Sequence, residues 1–117
     1  MRHNYIILIT LSLLACTLAE EFYSDKYDYV NIDEILENDR LREQYYKCFM
    51  DTEPCITPDS IFFKEHISEA FATKCKKCTE IQKRNMDKMA EWYTTNQPDK
   101  WDALVESLLR NAKNSAN

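Results

Sequence analysis

The cysteines are the residues of this sequence whose type and spacing say most about chemistry. Beyond the first 19 residues there are four of them: Cys48, Cys55, Cys75 and Cys78. Such a set could form two disulfides, a redox-active Cys-x-x-Cys pair or a four-cysteine zinc site. The redox pair usually sits in a βαβ context, which this chain lacks, and an oxidising compartment favours disulfides over zinc thiolates. We therefore expect disulfides, with no metal and no cofactor.

The spacing of the cysteines favours two local rings among the three possible pairings. Cys75 and Cys78 lie three residues apart at a predicted helix junction, and Cys48 and Cys55 span the turn between two predicted helices. Close spacing brings the sulfur atoms within bonding reach without moving the helices. The predicted bonds are Cys48–Cys55 and Cys75–Cys78.

The remaining chemistry-bearing residues do not form a recognisable catalytic motif. His66 is the one histidine outside the N-terminal segment, and no G-x-S-x-G or H-E-x-x-H pattern accompanies it. The chain has no glycine, which excludes the P-loop and the dinucleotide fingerprint. A formal charge of −5 disfavours phosphate backbones as partners. We expect a protein that is not an enzyme and binds no nucleic acid, with His66 at a surface or rim.

Residues 1–19 have the composition of a secretory signal peptide. An apolar run at positions 5–15 follows a short polar start and precedes small side chains ending at Ala19. The run is too short to cross a bilayer. We expect cleavage after Ala19, a secreted extracellular protein without a membrane anchor, and a single domain over residues 20–117. The segment Leu-Leu-Ala-Cys ending at Cys16 also fits a lipoprotein box, which stays open as an alternative.

The rest of the chain shows helical periodicity and no alternation of strand length. An extended lead-in over residues 20–30 precedes the first helix, and Asn31, Asn38 or Asp39, and Thr57 before Pro58 are helix-start signals. The predicted fold class is all-α, a compact bundle of short amphipathic helices around one core. The predicted helices cover residues 32–37, about 39–50, about 58–74, about 76–95, and 98 to about 110, with a frayed tail over 111–117.

The apolar faces of these helices define the predicted core. In the second helix Tyr45, Cys48 and Phe49 share one face, and Arg40 and Arg42 are assigned to the solvated side. The last helix has the cleanest repeat, formed by Trp101, Leu104, Val105, Leu108 and Leu109.

The cysteine spacing C-x6-C-x19-C-x2-C resembles that of the insect chemosensory proteins, also called the OS-D family, which have C-x6-C-x18-C-x2-C. Further motifs match in the same order: Y-D-Y-V-N-I-D-E-I-L at 27–36, D-R-L at 39–41, T-P-D at 57–59 and C-x-x-C-T-E at 75–80. The similarity covers about residues 23–105. Ile56 accounts for the one extra residue between the cysteine pairs, and it falls in a predicted loop.

The resemblance implies a helical bundle around an apolar tunnel that carries small hydrophobic molecules, such as odorants, pheromones, fatty acids or esters. The thioethers of Met86 and Met89 suit a pocket of this kind. The family continues into a sixth helix that this sequence does not match. We therefore expect the fifth predicted helix and the tail to close the side of the tunnel that the sixth helix would cover. We also expect a monomer. The predicted ligand-binding residues are apolar and face inward: Ile32, Leu36, Leu41, Tyr45, Phe49, Phe63, Ile67, Phe71, Ile81, Met89, Trp92, Trp101, Leu104 and Leu108.

A second function fits the same composition. A secreted interaction protein, active in development or tissue remodelling, would bind a protein partner rather than a small molecule. It would need an exposed apolar patch, whereas a carrier needs an enclosed apolar cavity.

Overall fold

The computed structural model describes residues 21–116, which form α-helices and connecting segments without a β-strand. The all-α prediction is confirmed. The predicted signal peptide, Cys16 and Asn117 lie outside the described residues. None of the helices in the described range is long and apolar enough to cross a membrane. The helices are α1 (Ile32–Glu37), α2 (Asp39–Phe49), α3 (Pro58–Ala72), α4 (Glu80–Asn96) and α5 (Pro98–Ala116).

The helices begin where side chains can cap their free N–H groups. The Asn31 side chain accepts from the backbone N–H groups of the first turn of α1, and Asn38 does the same for α2. Thr57 and Thr79 form capping boxes at α3 and α4, each with the polar residue three positions later. Pro58 fits the first turn of α3, where no N–H donor is needed. The predicted starts of α1, α2 and α3 are therefore confirmed.

The junction between α3 and α4 is longer than predicted. Helix α3 ends at Ala72 rather than near Lys74, and α4 begins at Glu80 rather than near residue 76. Lys74 and Cys75 have φ values of 55° and 61°, in the left-handed region that an α-helix cannot contain. The helix must stop before them, and Thr79 then caps a new start.

Helix α5 also differs from its predicted length. It continues to Ala116, through the segment that we expected to fray. Asn111 and the next residue are half-buried, and Lys113 lies in the last turn, where a cation is favourable. The helix packs chiefly on α3 and also on α4. Leu108 is fully buried, but Leu109, assigned to the same face, is 45% exposed.

Both predicted disulfides are present. The Cys48–Cys55 and Cys75–Cys78 bonds each join Cα atoms 4.9 Å apart. The first closes the corner between α2 and α3, and the second closes the junction between α3 and α4. Asp51, inside the first ring, has a φ of 64°. Together with Lys74 and Cys75 at the second corner, it shows that both corners use left-handed backbone without glycine.

The segment that precedes α1, residues 21–30, is here called the N-terminal strap. It crosses the bundle between α3 and α4. The backbone N–H of Tyr23 donates to the Lys77 carbonyl at 2.8 Å, and its hydroxyl donates to Glu69 Oε1 at 2.6 Å. The Thr79 hydroxyl donates to Asp28 Oδ2 at 2.9 Å. The predicted lead-in is therefore held against the helices rather than free of them.

Candidate functional site

A partly enclosed cavity of about 120 Å³ lies inside the bundle. All the helices and the N-terminal strap contribute to its lining, which is almost wholly apolar. Its shape and surface suit a small hydrophobic molecule.

Part of the predicted ligand-binding set lines this cavity. These residues come from α1, α2, α3, α4 and α5, and most are buried in the core. The signal that found them is the helical spacing of apolar side chains. They are Ile32, Leu36, Tyr45, Phe49, Phe63, Ile67, Met89 and Leu104.

The other predicted residues lie elsewhere. Leu41 and Ile81 are 36% and 40% exposed, because each sits in the first turn of its helix at the edge of the apolar face. Phe71 and Trp101, with ring centroids 5.5 Å apart, line a second and more open depression, which shares Ala70 and Met86 with the cavity. Leu108 is buried in the core beyond the cavity wall.

Trp92 and Arg42 form a pair that the sequence analysis assigned differently. Trp92 does not line the cavity; its ring lies 4.1 Å from the Arg42 guanidinium carbon. Arg42, which we placed on the solvated side of α2, is 7% exposed and lines the cavity. Arginine buries readily when its guanidinium stacks on an aromatic face, and the hydrophobic spacing rule takes no account of this.

Two further lining residues, Tyr46 and Tyr93, are absent from the predicted ligand-binding set. Tyr46 and Tyr93 stack with ring centroids 5.8 Å apart at the cavity wall. Burial raises the pKa of Tyr93 to about 12, and the nearby Glu43 adds to the rise. The signal for Tyr46 was available, since it lies three residues before Phe49 on α2.

The strap supplies a wall of the cavity that no helical pattern could indicate. Tyr23 and Val30 line the cavity, and the Tyr23 ring stacks on His66 with centroids 4.7 Å apart. Phe62 packs edge-on against the same histidine at 4.5 Å. His66 is thus a lining residue at the rim between α3 and the strap.

The tyrosine hydroxyls of the wall have protein partners. The Tyr45 hydroxyl donates to Asp59 Oδ2, and the Tyr46 hydroxyl donates to the Lys100 carbonyl at 2.9 Å. Burial raises the pKa of Tyr45 well above its usual range, and the bond to Asp59 raises it further. With their polar ends satisfied, both rings present apolar surface to the cavity.

Within the described part of the chain, no group of three or more histidine, cysteine or acidic side chains is placed to hold a metal ion. The arrangement is an all-α, disulfide-linked bundle around an apolar cavity. That is the architecture of a small helical ligand-binding protein.

Comparison with known proteins gives the family. The sequence profile described as "Insect pheromone-binding family, A10/OS-D" matches residues 23–116, and the chain belongs to this family. It is 37% identical over 99 residues to Ejaculatory bulb-specific protein 3 of Drosophila melanogaster, covering 85% of this chain and 78% of that protein. It is 41% identical over 87 residues to Putative odorant-binding protein A10 of the same species, and the match covers 74% of this chain and 56% of that protein.

A solved structure shares the fold. A chemosensory protein in complex with bromo-dodecanol superposes with a TM-score of 0.67 at 40% sequence identity, covering 70% of this chain and 81% of that one. The predicted resemblance to the chemosensory proteins is therefore confirmed.

Proposed function

We propose that this chain is a secreted monomeric carrier that holds a small hydrophobic molecule in the cavity between its helices. The observation that carries the proposal is the apolar lining contributed by every helix of the described chain. The similar chemosensory protein in complex with bromo-dodecanol supports it. In this proposal Ile32, Leu36, Ile67 and Met89 are among the ligand-contacting residues.

The expected affinity follows from the apolar surface of the ligand. Burial is worth about 0.8 kcal/mol per methylene, so a twelve-carbon chain gains roughly 10 kcal/mol. Association costs at least about 4 kcal/mol, which leaves about 6 kcal/mol. We therefore expect dissociation constants of roughly tens of micromolar.

The test is displacement of the fluorescent probe N-phenyl-1-naphthylamine by dodecanol. Ala70 is 5% exposed and lines the cavity, so Ala70→Phe should fill it and weaken probe binding at least tenfold. Ala103 is exposed on α5 and provides the matched control, because Ala103→Phe adds the same ring outside the cavity. Circular dichroism checks that both variants fold.

Two results would contradict the carrier function. One is a folded wild-type protein that binds neither the probe nor dodecanol. The other is equal binding by both variants, which would place the ligand outside the cavity. The first result would favour the alternative, a secreted interaction protein.

A further inference from the structure

The Cys75–Cys78 disulfide is flanked by cations. Lys74 precedes Cys75, and the two residues that the ring encloses are Lys76 and Lys77. The chain as a whole carries a formal charge of −5, so this cluster has the opposite sign to the protein. Positive neighbours stabilise a thiolate, which is the leaving group when a thiol opens a disulfide.

The Cys48–Cys55 disulfide has the opposite surroundings. Its ring encloses Asp51 and Glu53 and no cation. Lys47 precedes Cys48, but its Nζ lies 3.6 Å from Glu53 Oε1, so the two charges pair with each other. Negative charge inside the ring disfavours a thiolate there and repels one that approaches. The two rings therefore differ in the sign of the charge that they enclose.

The helix ends reinforce this difference. In each bond one cysteine is buried and its partner is half-buried: the buried ones are Cys48 and Cys78, and the half-buried ones are Cys55 and Cys75. A thiol attacks the accessible sulfur, so the buried cysteine is the leaving group in both bonds. Cys78 lies two residues before α4, at the positive end of the helix dipole, whereas Cys48 lies in the last turn of α2, at the negative end. The dipoles favour the departure of Cys78 and oppose that of Cys48.

The more open depression gives a route to Cys75. Cys75 is one of its lining residues, and the charged residues that line it are Lys74, Lys83 and Asp87. Two cations against one carboxylate leave this lining positive. It therefore attracts a thiol that carries negative charge.

We propose that the Cys75–Cys78 disulfide is a thiol–disulfide exchange site for small anionic thiols, and that Cys48–Cys55 stays closed under the same conditions. The incoming thiolate forms a bond to Cys75 Sγ, and the electron pair of the broken Sγ–Sγ bond leaves on Cys78. A second thiolate then attacks the incoming sulfur of this mixed disulfide and releases Cys75 as a thiolate. The protein disulfide gains two electrons, and the two small thiols are oxidised to one disulfide.

Opening this ring loosens the N-terminal strap. The backbone N–H of Tyr23 donates to the carbonyl of Lys77, which lies between the two cysteines. The closed ring keeps Lys74 and Cys75 at φ values of 55° and 61°, which are unfavourable for residues other than glycine, so the junction relaxes once the bond is broken. The ion pair between Lys77 and Glu69 joins side chains that are 44% and 49% exposed, and such a pair holds the junction weakly.

The test measures how fast each disulfide of the full chain opens in reduced glutathione. Free thiols are trapped with iodoacetamide at intervals, and peptide mass spectrometry measures the alkylated fraction of each cysteine pair. We expect Cys75–Cys78 to open about tenfold faster than Cys48–Cys55, with the glutathione adduct on Cys75. Cysteamine, a cationic thiol, should distinguish the two bonds less, because the lysines repel it.

A charge variant tests the cause of the difference. Lys76→Gln/Lys77→Gln should slow the opening of the Cys75–Cys78 ring severalfold, because it removes the cations beside the leaving thiolate. The matched control is Arg40→Gln/Lys113→Gln, which removes the same charge from exposed positions on α2 and α5. The control should open at the wild-type rate.

The reciprocal variant is Asp51→Asn/Glu53→Gln, which should speed the opening of Cys48–Cys55. Asparagine tolerates the left-handed backbone at position 51, so this change keeps the shape of the ring. For the strap, Cys75→Ser/Cys78→Ser should exchange the Tyr23 amide hydrogen faster than the wild type does.

Equal opening rates for the two disulfides of the wild-type chain would overturn the proposal without reference to any variant. An equal rate in the lysine variant and its matched control would overturn the role of the cations. Unchanged exchange of the Tyr23 amide in the serine variant would overturn the link to the strap. None of these results decides whether the cavity holds a ligand, which probe displacement measures separately.

Discussion

Leu104 and Leu108 lie one turn apart on α5 and are 1% and 0% exposed, but Leu104 alone of the two lines the cavity. Truncating a fully buried leucine to alanine costs about 2.7–5.0 kcal/mol, in proportion to the void that remains. For Leu108→Ala we expect about 3–4 kcal/mol, since core surrounds it. For Leu104→Ala we expect about 2–3 kcal/mol, because one side already borders a cavity and loses fewer contacts.

These costs translate into melting temperatures. A domain of this size loses about 4–8 °C per kcal/mol, so Leu108→Ala should melt roughly 12–30 °C below the wild type. Leu109→Ala, on the same helix but 45% exposed, is the control and should change the melting temperature little. Thermal unfolding followed by circular dichroism measures all three.

The ligand response should separate the two buried positions. Leu104→Ala enlarges the cavity, so it should shift preference towards longer chains, and a saturating long-chain ligand should recover more of its lost stability. Leu108→Ala should keep the wild-type preference for chain length. A change of preference in Leu108→Ala equal to that in Leu104→Ala would refute the placement of the cavity wall.

Three further outcomes follow from the described contacts. Replacing Cys48 and Cys55 by serine opens an eight-residue ring, and urea unfolding should show a loss of about 2.5 kcal/mol on the loop-entropy scale. The hydrogen bond from Tyr23 holds the pKa of Glu69 below its ordinary value. This bond therefore stabilises the strap fully when the pH is above the ordinary pKa of a glutamate, and the stabilisation is lost as the pH falls through the lowered pKa. Glu69→Gln should accordingly speed hydrogen exchange of the Tyr23 amide at neutral pH. Burial raises the pKa of Tyr93 from 10.0 to about 12. The contribution of the neutral Tyr93 hydroxyl to the free energy of unfolding is therefore complete below pH 10 and is lost as the pH rises through 12. Tyr93→Phe should accordingly lose less stability than the wild type between about pH 10 and 12, measured by urea unfolding.

The features that the sequence predicts well are local ones. A capping side chain and the N–H groups it accepts from lie within three residues, so Asn31 and Thr57 mark helix starts without reference to the rest of the fold. The disulfides are equally local, because each ring spans one corner. The apolar spacing of α2 and α3 also locates Phe49 and Ile67 on the cavity side.

The features that the sequence does not predict depend on distant contacts or unusual backbone. Arg42 is buried by Trp92, 50 positions away in the sequence, and no periodicity on α2 signals that contact. The early end of α3 has no glycine to mark it, since Lys74 and Cys75 adopt the left-handed conformation themselves. The strap becomes a cavity wall only because Tyr23 reaches α3 and the junction before α4.

The two disulfide rings have a consequence for the rates of ligand uptake and release. They lock the α2–α3 and α3–α4 corners. The strap carries no cross-link and is tied by hydrogen bonds, some of them exposed to water. Local detachment of such a segment takes far less free energy than unfolding of the bundle. For the proposed carrier we therefore expect residence time and thermal stability to be set by different parts of the molecule, so that one can change without the other.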